Sequence, residues 1–180
     1  MALGLPWRMM VRVRTTLPLA LLVLASCTVA HSEPPVEVRK QDQQTRKVLR
    51  VVDGDTLLLS PAEKVRLIGV ATPETVDPRK AVECYGKEAS EFTRKMVEGK
   101  TVRLELDDTN ANRHHKDRYD RTLAYVYLED GTLVNSEIIR QGYGRIITRY
   151  KFRYLDQFRT IQQHAQEEKL GVWFYCPNNN

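Results

Sequence analysis

Residues 48–70 read VLRVVDGDTLLLSPAEKVRLIGV, and the fold turns on this stretch. Two strand-like runs, Val48–Val52 and Thr56–Leu59, flank the turn Asp53-Gly54-Asp55. Apolar, β-branched runs on either side of an Asp-Gly turn read as a hairpin. Lys64–Val70 is a third strand, with imperfect alternation, and Pro73 stops it. Working outward, Gly86–Glu98 reads as a helix with Ala89, Phe92 and Met96 on one face and Gly99 as its stop. Thr101–Leu106 alternates, with Val102, Leu104 and Leu106 facing one way. Asp107–Asp117 is a polar loop, and Leu123–Leu128 is the fifth strand. Leu133–Gln141 is a short helix capped by Gly142. Tyr154–Leu170 is a longer one, with Leu155, Phe158, Ile161 and Ala165 near one face. The expected architecture is mainly β with helices (α+β): a five-stranded Greek-key barrel of the OB-fold type with three packed helices. Barrels of that type commonly host oligonucleotides.

The chain has 180 residues, with 42% apolar and 28% charged, which suits one globular domain plus extensions. The formal charge of +5 is partly the work of residues 1–27, which carry Arg8, Arg12 and Arg14 and no acid. Without them 25 basic residues face 23 acidic ones, so nucleic-acid affinity must come from local charge placement.

The arginines at 8–14 followed by LPLALLVLAS at 17–26 form an export signal, too short to span a membrane. Leu24-Ala25-Ser26-Cys27 resembles a lipobox, in which Cys27 becomes the lipid-bearing first residue. The other reading is an ordinary signal cut after Ala30. The small residues before Cys27 favour the lipobox, and with it a lipoprotein tethered to a membrane surface. Residues 28–45, with Pro34-Pro35 and many polar side chains, read as a flexible tether, 46–176 as the folded domain, and 177–180 as a disordered tail. Cys84 and Cys176 remain. In an exported domain they are expected to form a disulfide, the other reading being two buried thiols.

Three clusters carry chemistry: Val52-Asp53-Gly54-Asp55-Thr56, Val65 to Glu74, and Asp117 to Tyr125. Phosphodiester cleavage needs a water relieved of a proton, cations aimed at the phosphate oxygens, and often a hard divalent ion on oxygen ligands. Asp55 suits the ion, Arg66 and Arg121 the phosphate, and Glu74 the base work.

The ordered set resembles the thermonuclease, or staphylococcal-nuclease-like, family over about residues 46–173. Tyr85-Gly86-Lys87-Glu88-Ala89, Leu133-Val134-Asn135, Arg140-Gln141-Gly142 and Leu170-Gly171-Val172-Trp173 add to the likeness. The resemblance implies an OB-fold and calcium-dependent hydrolysis of DNA and RNA, with single-stranded or locally open substrates and a monomeric enzyme. It makes Asp55 and the Thr72 backbone carbonyl ligands of one calcium ion, with Asp53 behind them. Glu74 becomes the general base or the orienter of the water, and Arg66 and Arg121 the phosphate clamp. Tyr119 and Tyr150 line the nucleotide pocket, with Arg118 beside a phosphate. Ala71 departs from the pattern, which has a second calcium-ligating aspartate there. Fewer carboxylates mean a weakly held ion. The competing reading is therefore a nucleic-acid-binding OB module with weakened catalysis, and a third is a lipoprotein scaffold for protein contacts. Asp120 stands where the pattern often has glycine, and it puts negative charge beside Arg121. His114 and His115 read as solvated and Trp173 as core. Arg149, Lys151 and Arg153 are either a track for a strand backbone or plain basic surface.

Overall fold

A computed structural model describes residues 45–79 and 81–176. The signal at 1–27, the tether up to residue 44 and the tail at 177–180 lie outside the described residues. Five strands close into a barrel in the order β1 (Thr45–Asp53), β2 (Thr56–Leu59), β3 (Glu63–Leu67), β6 (Thr122–Tyr127), β5 (Thr101–Glu105). Among the described residues, closure leaves no unpaired barrel edge for another chain to extend. β1 and β2 form the expected hairpin, with Val51 opposite Leu57 and Asp53 opposite Thr56. β3 and β6 run parallel, which only a long crossover permits. The chain between them supplies it: α1 (Gly86–Val97), β5 and a 3-10 helix at Asp108–Arg113.

The third strand is not one strand. Gly69 takes φ +77°, and the chain leaves the barrel there. Val70–Ala71 becomes β4, which pairs with β7 (Arg145–Ile146) rather than with a barrel neighbour. Left-handed backbone is open to glycine at no steric cost, so the break falls on that residue. The segment read as a polar loop holds the 3-10 helix. α2 (Val134–Arg140) and α3 (Leu155–Glu167) form as expected, and a short α4 (Val172–Tyr175) follows them.

Val48, Leu57, Leu59, Val65, Leu67, Val102, Ala124 and Val126 fill the barrel, and Ile138, Ile139 and Phe158 of α2 and α3 pack onto the same cluster. Leu106 was expected on the inward face with Val102 and Leu104, but it is exposed. The strand ends one residue earlier because the next residue, Asp107, turns inward to a set of hydrogen bonds. Its Oδ2 accepts from the Tyr125 hydroxyl and the Arg153 N–H (2.8 Å), and its Oδ1 accepts from the Thr109 N–H (2.9 Å). Three donors outweigh the burial of one leucine at a strand end.

Candidate active site

The hairpin turn, the end of β3 and the start of β6 meet at one end of the barrel. Register is what joins them: Thr56 lies opposite Arg66, and Arg66 beside Leu123. Asp55 and Arg66 form a buried ion pair at 2.9 Å, their side chains 8% and 13% exposed. Asp55 Oδ2 also accepts from the Thr72 N–H (3.1 Å), and its Oδ1 accepts from the Thr56 hydroxyl (3.0 Å). The Thr56 hydroxyl in turn accepts from Arg121 Nη1 (3.2 Å). Asp117 Oδ2 holds Arg121 from the other side, accepting from Nε at 2.7 Å and pairing with Nη2 at 2.7 Å. Arg66, Asp55, Thr56, Arg121 and Asp117 are thus one unbroken chain of contacts. Arg66 is further fixed by Nη1 donating to the carbonyls of Leu67 (3.0 Å) and Val70 (2.6 Å). Burial pulls the Arg66 pKa below the ordinary arginine value, and the Asp55 carboxylate opposes this most. The guanidinium remains a cation because its reference value is so high.

Asp53 sits under the turn. Its Oδ1 accepts from the Gly54 N–H (2.9 Å) and the Thr75 hydroxyl (2.7 Å). Burial pushes its carboxyl up to about 6. The Thr75 bond pulls the other way, and the charges of Asp55 and Glu74 add to the rise. α1 braces the same turn, since the Thr93 hydroxyl donates to the Gly54 carbonyl (2.7 Å). Glu74 folds over its own loop, with Oε1 accepting from the N–H groups of Thr75 (3.1 Å), Val76 (2.8 Å) and Asp77 (3.2 Å).

Among the described residues no three His, Cys, Asp or Glu side chains gather as a metal cage. The donors on offer are oxygens, and Asp53 is raised partly because Asp55 and Glu74 crowd it with negative charge. An all-oxygen donor set is the kind that a hard divalent ion prefers. Ala71 is half-buried on β4, directly opposite Arg145.

Tyr119 and Tyr150 are 62% and 54% exposed, so their rings are open to stacking. The guanidiniums of Arg118 and Arg121 lie 4.7 and 5.3 Å from the Tyr119 ring centre, and that of Arg149 lies 4.9 Å from Tyr150. Asp120 does take left-handed backbone, at φ +61°, but its carboxylate pairs with Lys116 at 3.9 Å. Arg153 is paired with Glu105, so the basic stretch after Arg149 is not a continuous phosphate track. Trp173, expected in the core, is half-buried with the Arg145 guanidinium 4.8 Å from its ring centre. Cys84 and Cys176 are joined, with Cα atoms 6.0 Å apart.

Reading single residues missed three positions that hold this arrangement. Thr56 links the acid to the second arginine, Asp117 orients that arginine, and Thr75 secures Asp53. Thr56 and Asp117 stood inside the chemical clusters without a role of their own, and Thr75 lay outside them.

The model of the family described as staphylococcal nuclease homologue matches residues 64–175. The chain is 38% identical over 160 residues to the thermonuclease of Staphylococcus hyicus, covering 86% of this chain and 91% of that protein. It is 42% identical over 134 residues to the thermonuclease of Staphylococcus intermedius, covering 70% and 74%. With endonuclease YncB of Bacillus subtilis (strain 168) it shares 36% identity over 129 residues, 69% of this chain and 59% of that protein. The closed barrel, the paired arginines around the hairpin turn and these matches together make the chain a member of the staphylococcal nuclease homologue family.

Proposed function

We propose that this protein is an exported, calcium-dependent nuclease that hydrolyses phosphodiester bonds in single-stranded or locally open DNA and RNA. The observation that carries the reading is the contact chain from Arg66 through Asp55 and Thr56 to Arg121. Two guanidiniums are held in place before any substrate arrives, one by a buried acid and two carbonyls, the other by Asp117. Donors fixed in advance stabilise the charge that gathers on phosphate oxygens in the transition state without reorganising at that moment. Arginine can donate paired, parallel bonds to a phosphate, which lysine cannot do. Glu74 takes the proton from the attacking water or orients that water. Tyr119 and Tyr150 offer stacking faces to the nucleotide, and Arg118 offers its charge to a neighbouring phosphate. Asp55 and the Thr72 carbonyl would hold the ion, with Asp53 supporting the turn. A bound calcium ion supplies positive charge to the phosphate and the water.

Digestion of single-stranded DNA by the wild type and by Arg121→Lys, with calcium and with chelator, tests the reading. The wild type should cleave only with calcium. The variant should lose about two decades of rate, several kcal/mol in the chemical step, while its melting curve stays put. Near-full activity in the variant contradicts the clamp. Binding without cleavage at any calcium level is the behaviour of a nucleic-acid-binding module instead. The proposal includes the lipid anchor at Cys27: labelled fatty acid should be taken up by the full chain and not by Cys27→Ser. A soluble mature protein beginning at His31 contradicts it.

A further inference from the structure

From Thr72 to Tyr85 the described residues form no helix or strand, and Glu74 lies near the start of this segment. Glu83, near its end, holds both backbone polar groups of Glu74. The Glu83 N–H donates to the Glu74 carbonyl (3.0 Å), and Glu83 Oε2 accepts from the Glu74 N–H (3.1 Å). The Glu74 carboxylate is bonded to the three N–H groups that follow it, so side chain and backbone move together. Whatever anchors Glu83 therefore sets where the Glu74 carboxylate sits.

The next residue is the anchor. Cys84 is crosslinked to Cys176 across 92 positions. Beside the crosslink the rings of Tyr85 and Tyr175 stack with centres 5.3 Å apart, 12° from parallel. Tyr143 stacks on Tyr85 at 5.5 Å, and Phe92 of α1 on Tyr143 at 4.1 Å. Tyr85 itself is held at φ +66°, which a bulky residue rarely adopts unless its surroundings impose it. The crosslink and the ring column fasten the end of the Glu74 loop to α4 and α1.

We propose that the Cys84–Cys176 disulfide is a redox-sensitive positioning device for Glu74, acting through Glu83. The inference rests on the nuclease reading above and adds control of the same site. A small dithiol reverses the device: two electrons and two protons pass to the S–S bond, which breaks to two cysteine thiols. The two sulfurs of the reductant become its own cyclic disulfide. Glu83 then loses its crosslinked neighbour, and the loop that carries Glu74 is freed. The arginines lie on β3 and just before β6, outside this loop, so phosphate binding is untouched. A positioning loss of this kind lowers kcat and spares KM.

Cleavage by the full chain, oxidised and dithiol-reduced, is compared for the wild type, Glu83→Ala and Glu83→Gln. Reduction of the wild type should lower kcat by about tenfold to a hundredfold with KM nearly constant. Glu83→Ala should show that loss already when oxidised and lose little more on reduction, because both changes act on one path. Glu83→Gln keeps an acceptor oxygen for the Glu74 N–H and should restore most of the rate. Unchanged wild-type kcat after complete reduction overturns the proposal, and so do independent, multiplying losses in Glu83→Ala. Amide hydrogen exchange reads the same device without cleavage: reduction should speed exchange at Glu74 and Glu83 by a larger factor than at β3 and β6, whose amides report the loss of global stability. Exchange at Glu74 and Glu83 that speeds no more than at β3 and β6 overturns the proposal. Faster exchange in a protein that cleaves in neither state keeps the positioning device and removes the nuclease reading.

Discussion

Alanine at position 71 sits between two opposite electrostatic neighbours. Thr72 follows it and donates its N–H to Asp55 Oδ2, while Arg145 faces it across the β4–β7 pair. Residues directly opposite in an antiparallel pair share a face, so a carboxylate at 71 would meet both the acid of the turn and the base of β7. Ala71→Asp should lower the calcium concentration for half-maximal cleavage by about tenfold, equivalent to roughly 1.4 kcal/mol. Turnover at saturating calcium should change less, because Arg66, Glu74 and Arg121 are already present. Calcium titration of cleavage in both forms is the measurement. An unmoved midpoint means that other oxygens already complete the ion's shell, or that Arg145 absorbs the new charge.

The inward turn after β5 depends on one buried acid. Asp107 ends the strand and bonds to Tyr125 on β6, to Thr109 at the 3-10 helix and to the Arg153 backbone ahead of α3. Burial is the largest single influence on its carboxyl and pushes it up. The bonds from Arg153, Tyr125 and Thr109 together outweigh burial and hold it below the usual aspartate value of 3.8. A depressed folded pKa means stability present in full above the unfolded value and lost as pH falls through the folded one. Asp107→Asn should therefore cost about 2–4 kcal/mol near neutrality, since charge-assisted bonds are replaced and one donor is left facing another. The gap from wild type should stay level between about pH 5 and 8 and close below about pH 4. Urea unfolding at a series of pH values measures it, and a gap that widens in acid contradicts the assignment.

Across the whole molecule the longest covalent constraint is the Cys84–Cys176 crosslink, which joins the entry of α1 to the end of α4. Closing so long a loop removes entropy mainly from the unfolded chain, worth about 4 kcal/mol in the chain-entropy model. Replacing both cysteines by serine should lower the melting temperature by roughly 10–20 °C, as followed by calorimetry. A shift under a few degrees would mean that the unfolded chain is already restrained there, or that the crosslink strains the native state. This stability loss is separate from the rate effect argued for Glu83, because Glu83→Ala leaves the crosslink intact.

Local patterns carried much of this protein. The hairpin at 48–59 was legible because strand-forming runs flank an Asp-Gly turn. α1, α2 and α3 were legible because their apolar spacing and glycine stops are local. Asp55, Arg66 and Arg121 were legible as members of an ordered set of clusters, each a weak signal when taken alone. The sequence also carried the departure at Ala71. What it left undecided was whatever depends on residues far apart in the chain. Only closure of the barrel set β6 beside β3 and brought Arg121, 65 positions from Thr56, onto its hydroxyl. Only the left-handed Gly69 revealed that the third strand splits and hands Ala71 to Arg145. Leu106 followed the alternation, yet Asp107 took the inward place, because hydrogen bonds from distant Tyr125 and Arg153, with a third from neighbouring Thr109, reward burying that acid. A periodic pattern records which face a residue prefers. The partners that satisfy a buried charge are chosen when the chain closes on itself, and no local window contains them.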